Sequence, residues 1–176
     1  MMQAKRVRVN PFKRPYVVLM MDVIGRSLEA ASQVDERIQN EVRHLPDGLM
    51  FEMKVMPDGP ALVLQKTGVA GLKYLGNRPP RKPDVVMKFK HLTHAFLVFS
   101  FQEATARAFA NDRILLDGEI AYAMKLVRCL NRMESLILPK IIAERALKRY
   151  PTLSLPEKML GGARIYTQVA KNFIRG

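Results

Sequence analysis

Between residues 49 and 90 the chain alternates apolar and polar side chains in short runs, and this pattern restricts the fold more than any other feature. LMFEMKV (49–55) sets Phe51, Met53 and Val55 against Glu52 and Lys54; ALVLQKT (61–67) follows the turn PDGP (57–60), and AGLKYLG (70–76) follows Gly68. A basic, proline-rich stretch, NRPPRKP (77–83), leads into DVVMKFK (84–90), where Val85, Met87 and Phe89 oppose Lys88 and Lys90. A period of two is that of a strand with one dry face, and a dry face has to be covered. Short turns between four such runs predict an antiparallel meander, packed on one side.

RILLDGEIAYAMKL (113–126) changes period in mid-course. Residues 113–117 read as a fifth strand and Gly118 as a hinge. Glu119 begins a helix that is apolar almost all round, ending at Leu138 before Pro139 or continuing with a kink through KIIAERALKRY. Upstream, Leu28, Ala31, Val34, Ile38, Val42 and Leu45 recur at threes and fours, a helical stripe over 26–45 that LPDG ends. HLTHAFLVFSFQEATARAFAND (91–112) gathers phenylalanines into two short helices broken near Ser100, and a last amphipathic helix spans 157–174 after the loop PTLSLPEK. Residues 1–24 are a basic arm running into PYVVLMMDVI, to which no period assigns an element. The expected fold is α/β of the α+β type: a five-stranded, mainly antiparallel sheet covered by helices. One domain is expected over 26–130, with a basic arm at 1–25 and a basic helical extension at 131–176 packed on the same body.

The net charge of +13 is unevenly spread: residues 1–14 hold 5 bases and no acid, 15–126 hold 14 bases and 13 acids, and 127–176 hold 10 bases and 3 acids. A neutral body with basic ends suits a polyanion, which could be an anionic membrane surface, an acidic protein partner or nucleic acid. The bland reading is a solvated face. The membrane ranks first, because the last helix sets Leu160, Ile165, Val169, Phe173 and Ile174 beside bases, as an interfacial helix does. Contact with membrane or partner is assigned to Lys5, Arg6, Arg8, Lys13, Arg14, Lys158, Arg164, Lys171 and Arg175. Nucleic acid ranks last, since no binding motif and no tryptophan occur and the phenylalanines cluster in the neutral middle. The apolar run YVVLMM stops at Asp22, short of the roughly 7–15 residues of an export signal, and no run nears the ~18 residues of a membrane span. The expectation is a cytoplasmic protein, any membrane attachment being peripheral, at the inner membrane.

Catalytic patterns are missing. A single cysteine, Cys129, excludes an internal disulfide and a multi-cysteine metal site. Arg128 and Arg132 beside it would lower its pKa, whereas a lone cysteine on an apolar helix is ordinarily packing. His91 and His94 share a helical face, but no third ligand follows by pattern. The glycines of GLKYLG and LGGAR lack the Lys-Ser/Thr of a phosphate loop, and no Ser–His–Asp order occurs. No enzyme activity, cofactor or metal is expected.

A helix, four meandering strands, an apolar helical pair, and then a strand ending in Gly118 before Ala123-Met124-Lys125-Leu126 form an order that resembles the sterol carrier protein-2 (SCP2) lipid-binding domain. AF (108–109), RILLDGEIAYAMKL (113–126) and DVVMKF (84–89) carry the likeness, which covers about residues 26–130. Where that family has a glycine before its last strand, this chain has Asn111-Asp112-Arg113, residues that also accept a left-handed turn. RMESLILPKIIAERAL (132–147) resembles a bacterial subgroup that assists ubiquinone biosynthesis by holding polyprenyl lipids. The resemblance implies an apolar tunnel between sheet and helices that takes a sterol, acyl or isoprenoid chain, and partner enzymes of a lipid-modifying pathway. The implied lining is Met87, Phe89, Leu92, Phe96, Phe99, Phe101, Phe109, Leu116, Ile120, Met124 and Val127. Taken alone, the greasy helix after Gly118 is equally an ordinary core helix. The rival to a lipid carrier is an adaptor with a closed core that acts through its basic ends.

Overall fold

A computed structural model describes residues 11–137 and 155–175, the latter without the side chains of Leu155 and Arg175. Strands β1 (Met50–Val55), β2 (Ala61–Thr67), β3 (Gly71–Tyr74), β4 (Val85–Phe89) and β5 (Ile114–Asp117) form one open sheet in the order β3-β2-β1-β4-β5. The first hairpins follow the alternation, with Phe51 opposite Leu64 and Leu64 opposite Tyr74 in antiparallel register.

The meander ends at β3. Instead of pairing with β3, β4 returns to the far side of β1 and runs parallel to it, Met53 opposite Met87, and β5 adds antiparallel to β4. The connection explains this correction. A tight turn would hold β4 beside β3, whereas residues 75–84 reach up to ~33 Å extended, ample for the ~14 Å across three strand spacings. The rearrangement puts β1 and β4 inside the sheet, where Phe51, Met53, Val55, Val85, Met87 and Phe89 are all buried on one face. The opposite face carries ion pairs, Glu52–Lys54 and Lys88–Asp117, each at 3.1 Å.

Helix α1 (Lys13–Val34) covers the packed face. Its proline, Pro15, lies in the first turn, where no intrahelical N–H is lost. Val17, Met21, Ile24, Leu28 and Ala31 form its buried stripe. Val18, Leu19 and Val23 are apolar on the outer side as well, which hides the period from the sequence. The expected boundary at residue 25 between arm and domain therefore falls inside α1. The stripe also does not continue as one helix to Leu45. Asp35 is extended, and its carboxylate accepts a hydrogen bond from the Ile38 N–H at 3.0 Å, capping a new helix, α2 (Glu36–Arg43). Such a cap contributes ~1 kcal/mol.

Helices α3 (Leu92–Phe99), α4 (Thr105–Ala110), α5 (Ile120–Ile137) and α6 (Leu155–Arg175) follow. Asp112, at φ 57°, supplies the left-handed turn before β5. Gly118 is required twice over: its φ is +110°, and a Cβ there would stand 2.4 Å from the Asp84 carbonyl oxygen. Helix α6 approaches α5 closely at Gly161, where a Cβ would come within 2.8 Å of Leu136 Cδ2. Its Ile165 is buried, and its Gln168 donates to Gln33 of α1 at 2.7 Å. The expected continuation through KIIAERALKRY lies outside the described residues.

Candidate functional site

Helix α5 has two unlike sides. Arg128 donates to both Glu41 carboxylate oxygens at 2.7 and 2.9 Å, and Arg132 reaches Asp35 at 3.0 Å, fastening this side to the α1–α2 corner. Roughly opposite, at helical spacing, stand Ile120, Ala123, Val127, Leu130, Glu134 and Ile137. This strip opens toward the N-terminal end of α5. Ile120 is 61% exposed and the adjoining Met124 48%, whereas Val127 and Ile137 are half-buried against the core and Leu130 is buried.

The implied lining residues separate into groups. Met87, Phe89 and Phe99 are buried, and Leu92, Phe96, Leu116 and Val127 pack half-buried against the same core. The rings of α3 turn toward α1 and β4: Phe96 meets Tyr16 edge-on at 5.3 Å, Phe99 meets Phe89 at 5.4 Å, and the Tyr16 hydroxyl donates to the Phe99 carbonyl at 3.1 Å. Phe101 is half-buried at φ 58°, a conformation costly for a bulky side chain, and it reverses the chain between α3 and α4. Phe109, like Ile120 and Met124, faces outward.

Glu134 has no signal in composition or motif. Its position four residues past Leu130 and seven past Val127 gives it away as an acid on an apolar strip. Burial pushes its carboxyl up to about 8. Burial also pushes the Cys129 thiol up to about 12, outweighing the arginine beside it, so the expected lowering does not occur. Arg132 joins Asp35 to Glu157 of α6 at 3.2 Å, bordering a cleft of about 320 Å³ that Arg37 and Arg164 also line. The His91 and His94 rings meet edge-on at 5.2 Å, and burial lowers the His94 pKa. Among the described residues no group of three His, Cys, Asp or Glu side chains could hold a metal.

The basic positions spread over two neighbouring helices. On α1, Lys13 lies 5.5 Å over the Phe96 ring and Arg14 donates to the Asp58 carbonyl at 3.1 Å. Phe12 (77% exposed), Val18, Leu19 (60%) and Val23 at and along α1, and Phe173 (69%) and Ile174 on α6, are exposed apolar side chains, and Lys171 on α6 is exposed as well. The Arg26 guanidinium, paired with Asp22, lies 5.0 Å from the Phe173 ring and ties the two helices' outer faces together. On α6, Ile165 and Val169 face the core instead, so only part of the expected interfacial face points outward. Lys5, Arg6 and Arg8, and the side chain of Arg175, lie outside the described residues. Among those residues no helix is long and apolar enough to cross a membrane.

No family model and no curated protein sequence matches the chain. Solved structures similar to it include one described as "UbiJ-SCP2 Ubiquinone synthesis protein", at 13% identity and TM-score 0.47, covering 70% of this chain and 100% of that one. The sterol carrier protein domain 2 of Helicoverpa armigera aligns at 23% identity and TM-score 0.47, over 72% of this chain and 94% of the other. The apo form of sterol carrier protein 2 from Yarrowia lipolytica aligns at 17% and 0.42, over 69% and 99%. The chain's own succession of helices and strands, with the glycine-hinged passage from β5 into α5, is the one the sequence resemblance implied, except that β4 leaves the meander to pair in parallel with β1. Helix α6 is clasped to α1 and α5.

Proposed function

We propose that the protein is a non-enzymatic lipid carrier that shelters one long hydrophobic chain against α5. The observation that carries this reading is the α5 strip: an apolar surface, open at Ile120 and Met124, that continues without interruption into the core at Val127 and Leu130. Each methylene moved from water onto such a surface gains roughly 0.8 kcal/mol, so chain length should dominate affinity. Met124 suits a ligand of variable shape, because its thioether adapts. Within this reading the ligand is a sterol, acyl or polyprenyl chain, and service to ubiquinone biosynthesis is the finer proposal that the resemblance suggests. The apolar and basic face of α1 and α6 would approach an anionic membrane to load it, and partner enzymes of the pathway would take it up.

Native mass spectrometry with solvent extraction of freshly purified protein tests the proposal. Co-purifying lipid is expected, and Met124→Arg, folded, should lose it. A protein that emerges empty but captures an acidic partner would favour the closed-core adaptor instead.

A further inference from the structure

Helix α6 is docked to the body by one side and apolar on the other as well. Its inner side carries the buried Ile165, the half-buried Val169, Gly161 and Gly162 close against Leu136, and Gln168 and Asn172 on Gln33 of α1. On the outer side Met159 (72% exposed), Leu160, Tyr166, Phe173 and Ile174 (85%) stand in water, and the smaller Ala163 and Ala170 are exposed between them. At about 100° per residue these side chains form one arc about 140° wide, centred about 150° away from Ile165. Thr167, inside the arc, donates its hydroxyl to the Ala163 carbonyl at 2.7 Å, so its donor is satisfied without water. The exposed Arg164 and Lys171 follow about 20–40° beyond the Leu160 edge. Over 155–175 the sequence holds 4 bases and 1 acid, and that acid, Glu157, is turned to Arg132 and Arg37.

We propose that α6 is an in-plane membrane anchor: its inner side holds the body while its outer side enters an anionic lipid surface, with Arg164 and Lys171 at the level of the headgroups. This deepens the membrane step of the carrier reading and rests on it. From Met159 to Ile174 the arc runs about 22 Å at ~1.5 Å per residue, nearly the whole length of the helix. Its burial in lipid is favourable in proportion to its apolar area, and bases beside it are drawn to an anionic surface. Charge decides between occupants. A second copy would bring the same basic helix against itself, in a chain of net charge +13, whereas anionic lipid answers those bases. Shape points the same way. Phe173 carries the arc to Arg26 of α1 at 5.0 Å, and Val23 and Leu19 stand on the Arg26 side of that helix at helical spacing. The apolar surface thus widens over two helices instead of narrowing into the groove that a single partner helix would need.

The chain has no tryptophan, so Leu160→Trp, Ile174→Trp and, as a control, Leu115→Trp each carry a single reporter. Leu115 pairs with Lys88 and lies on the sheet face that α1 does not cover. Each full-length variant is titrated with vesicles of phosphatidylcholine and phosphatidylglycerol, with and without bromine on the phosphatidylcholine chains. Leu160→Trp and Ile174→Trp should shift to the blue and be quenched to similar extents, as on a helix lying flat ~5–10 Å into the lipid boundary. Leu115→Trp should stay unshifted. Leu160→Glu with Ile174→Glu should weaken vesicle partition by about tenfold or more. Vesicle binding that leaves both α6 reporters in water would overturn the anchor and leave the membrane step to α1. Reporters already blue-shifted without vesicles, in protein of twice the monomer mass by light scattering, would give the face to a second copy instead. If wild type binds no anionic vesicle, the membrane step of the carrier reading fails, the anchor with it, and the face is left to a protein partner.

Discussion

At the scale of single residues, Glu134 also links the interior to pH. Its carboxyl moves from an ordinary 4.5 to about 8 on folding, so the folded chain holds a proton that the unfolded chain has released. The sign follows: stability is full below about 4.5 and declines as pH rises toward 8. Discounted for its part-open setting, the decline should be on the order of 2–4 kcal/mol. Urea midpoints at acid, neutral and mildly alkaline pH should fall in wild type and stay flatter in Glu134→Gln. The lowered His94 pKa acts in the opposite direction and cancels in the comparison. A wild-type profile as flat as the variant's would refute the assignment. Cys129 makes the complementary case: with its thiol sealed and raised to about 12, it should resist alkylation in native protein and react once urea is added.

At the scale of elements, what the sequence disclosed depended on whether a periodic signal was one-sided. β1, β2 and β4 were legible because one face is dry and the other carries Glu52, Lys54 and Lys88. Gly118 and Asp112 were legible because few residues tolerate their backbone conformations. The start of α1 was not, because Val18, Leu19 and Val23 make its outer side as apolar as its inner one. The parallel seat of β4 is a property of where a long connection lands, which local pattern does not encode. The Asp35–Arg132–Glu157 triad joins residues 97 and 25 positions apart, a distance over which pairing leaves no trace in the sequence. That triad fixes how α5 and α6 meet the α1–α2 corner, and two of its members, Arg132 and Asp35, are largely withdrawn from water, Glu157 less so. Arg132→Ala should therefore cost ~3–5 kcal/mol by stranding Asp35, whereas Arg128→Ala, at the more exposed pair with Glu41, should cost under ~1 kcal/mol. Equal losses in urea titration would mean that the triad contributes no more than a surface pair.

At the scale of the whole molecule, a carrier has to meet a bilayer and leave it, which demands two forces of different range. The face formed by α1 and α6 offers both: Leu19, Val23 and Phe173 project outward, with Lys13, Arg14 and Lys171 on the same helices. A base near an anionic surface contributes ~1 kcal/mol, and raising salt from 0.1 to 1 M shortens the screening length from ~10 to ~3 Å. Apolar contact is indifferent to that screening. Sedimentation with vesicles containing anionic lipid should therefore show binding that weakens steeply with salt and is weak on neutral vesicles. Lys13→Glu with Arg14→Glu should abolish the salt dependence together with most of the binding. Leu19→Asp with Val23→Asp should lower binding at every salt concentration while leaving the slope nearly intact. The two pairs of variants thus separate attraction from insertion. Binding that ignores both lipid charge and salt would mean that this face meets something other than a membrane, and that the chain bound along α5 reaches the protein by another route.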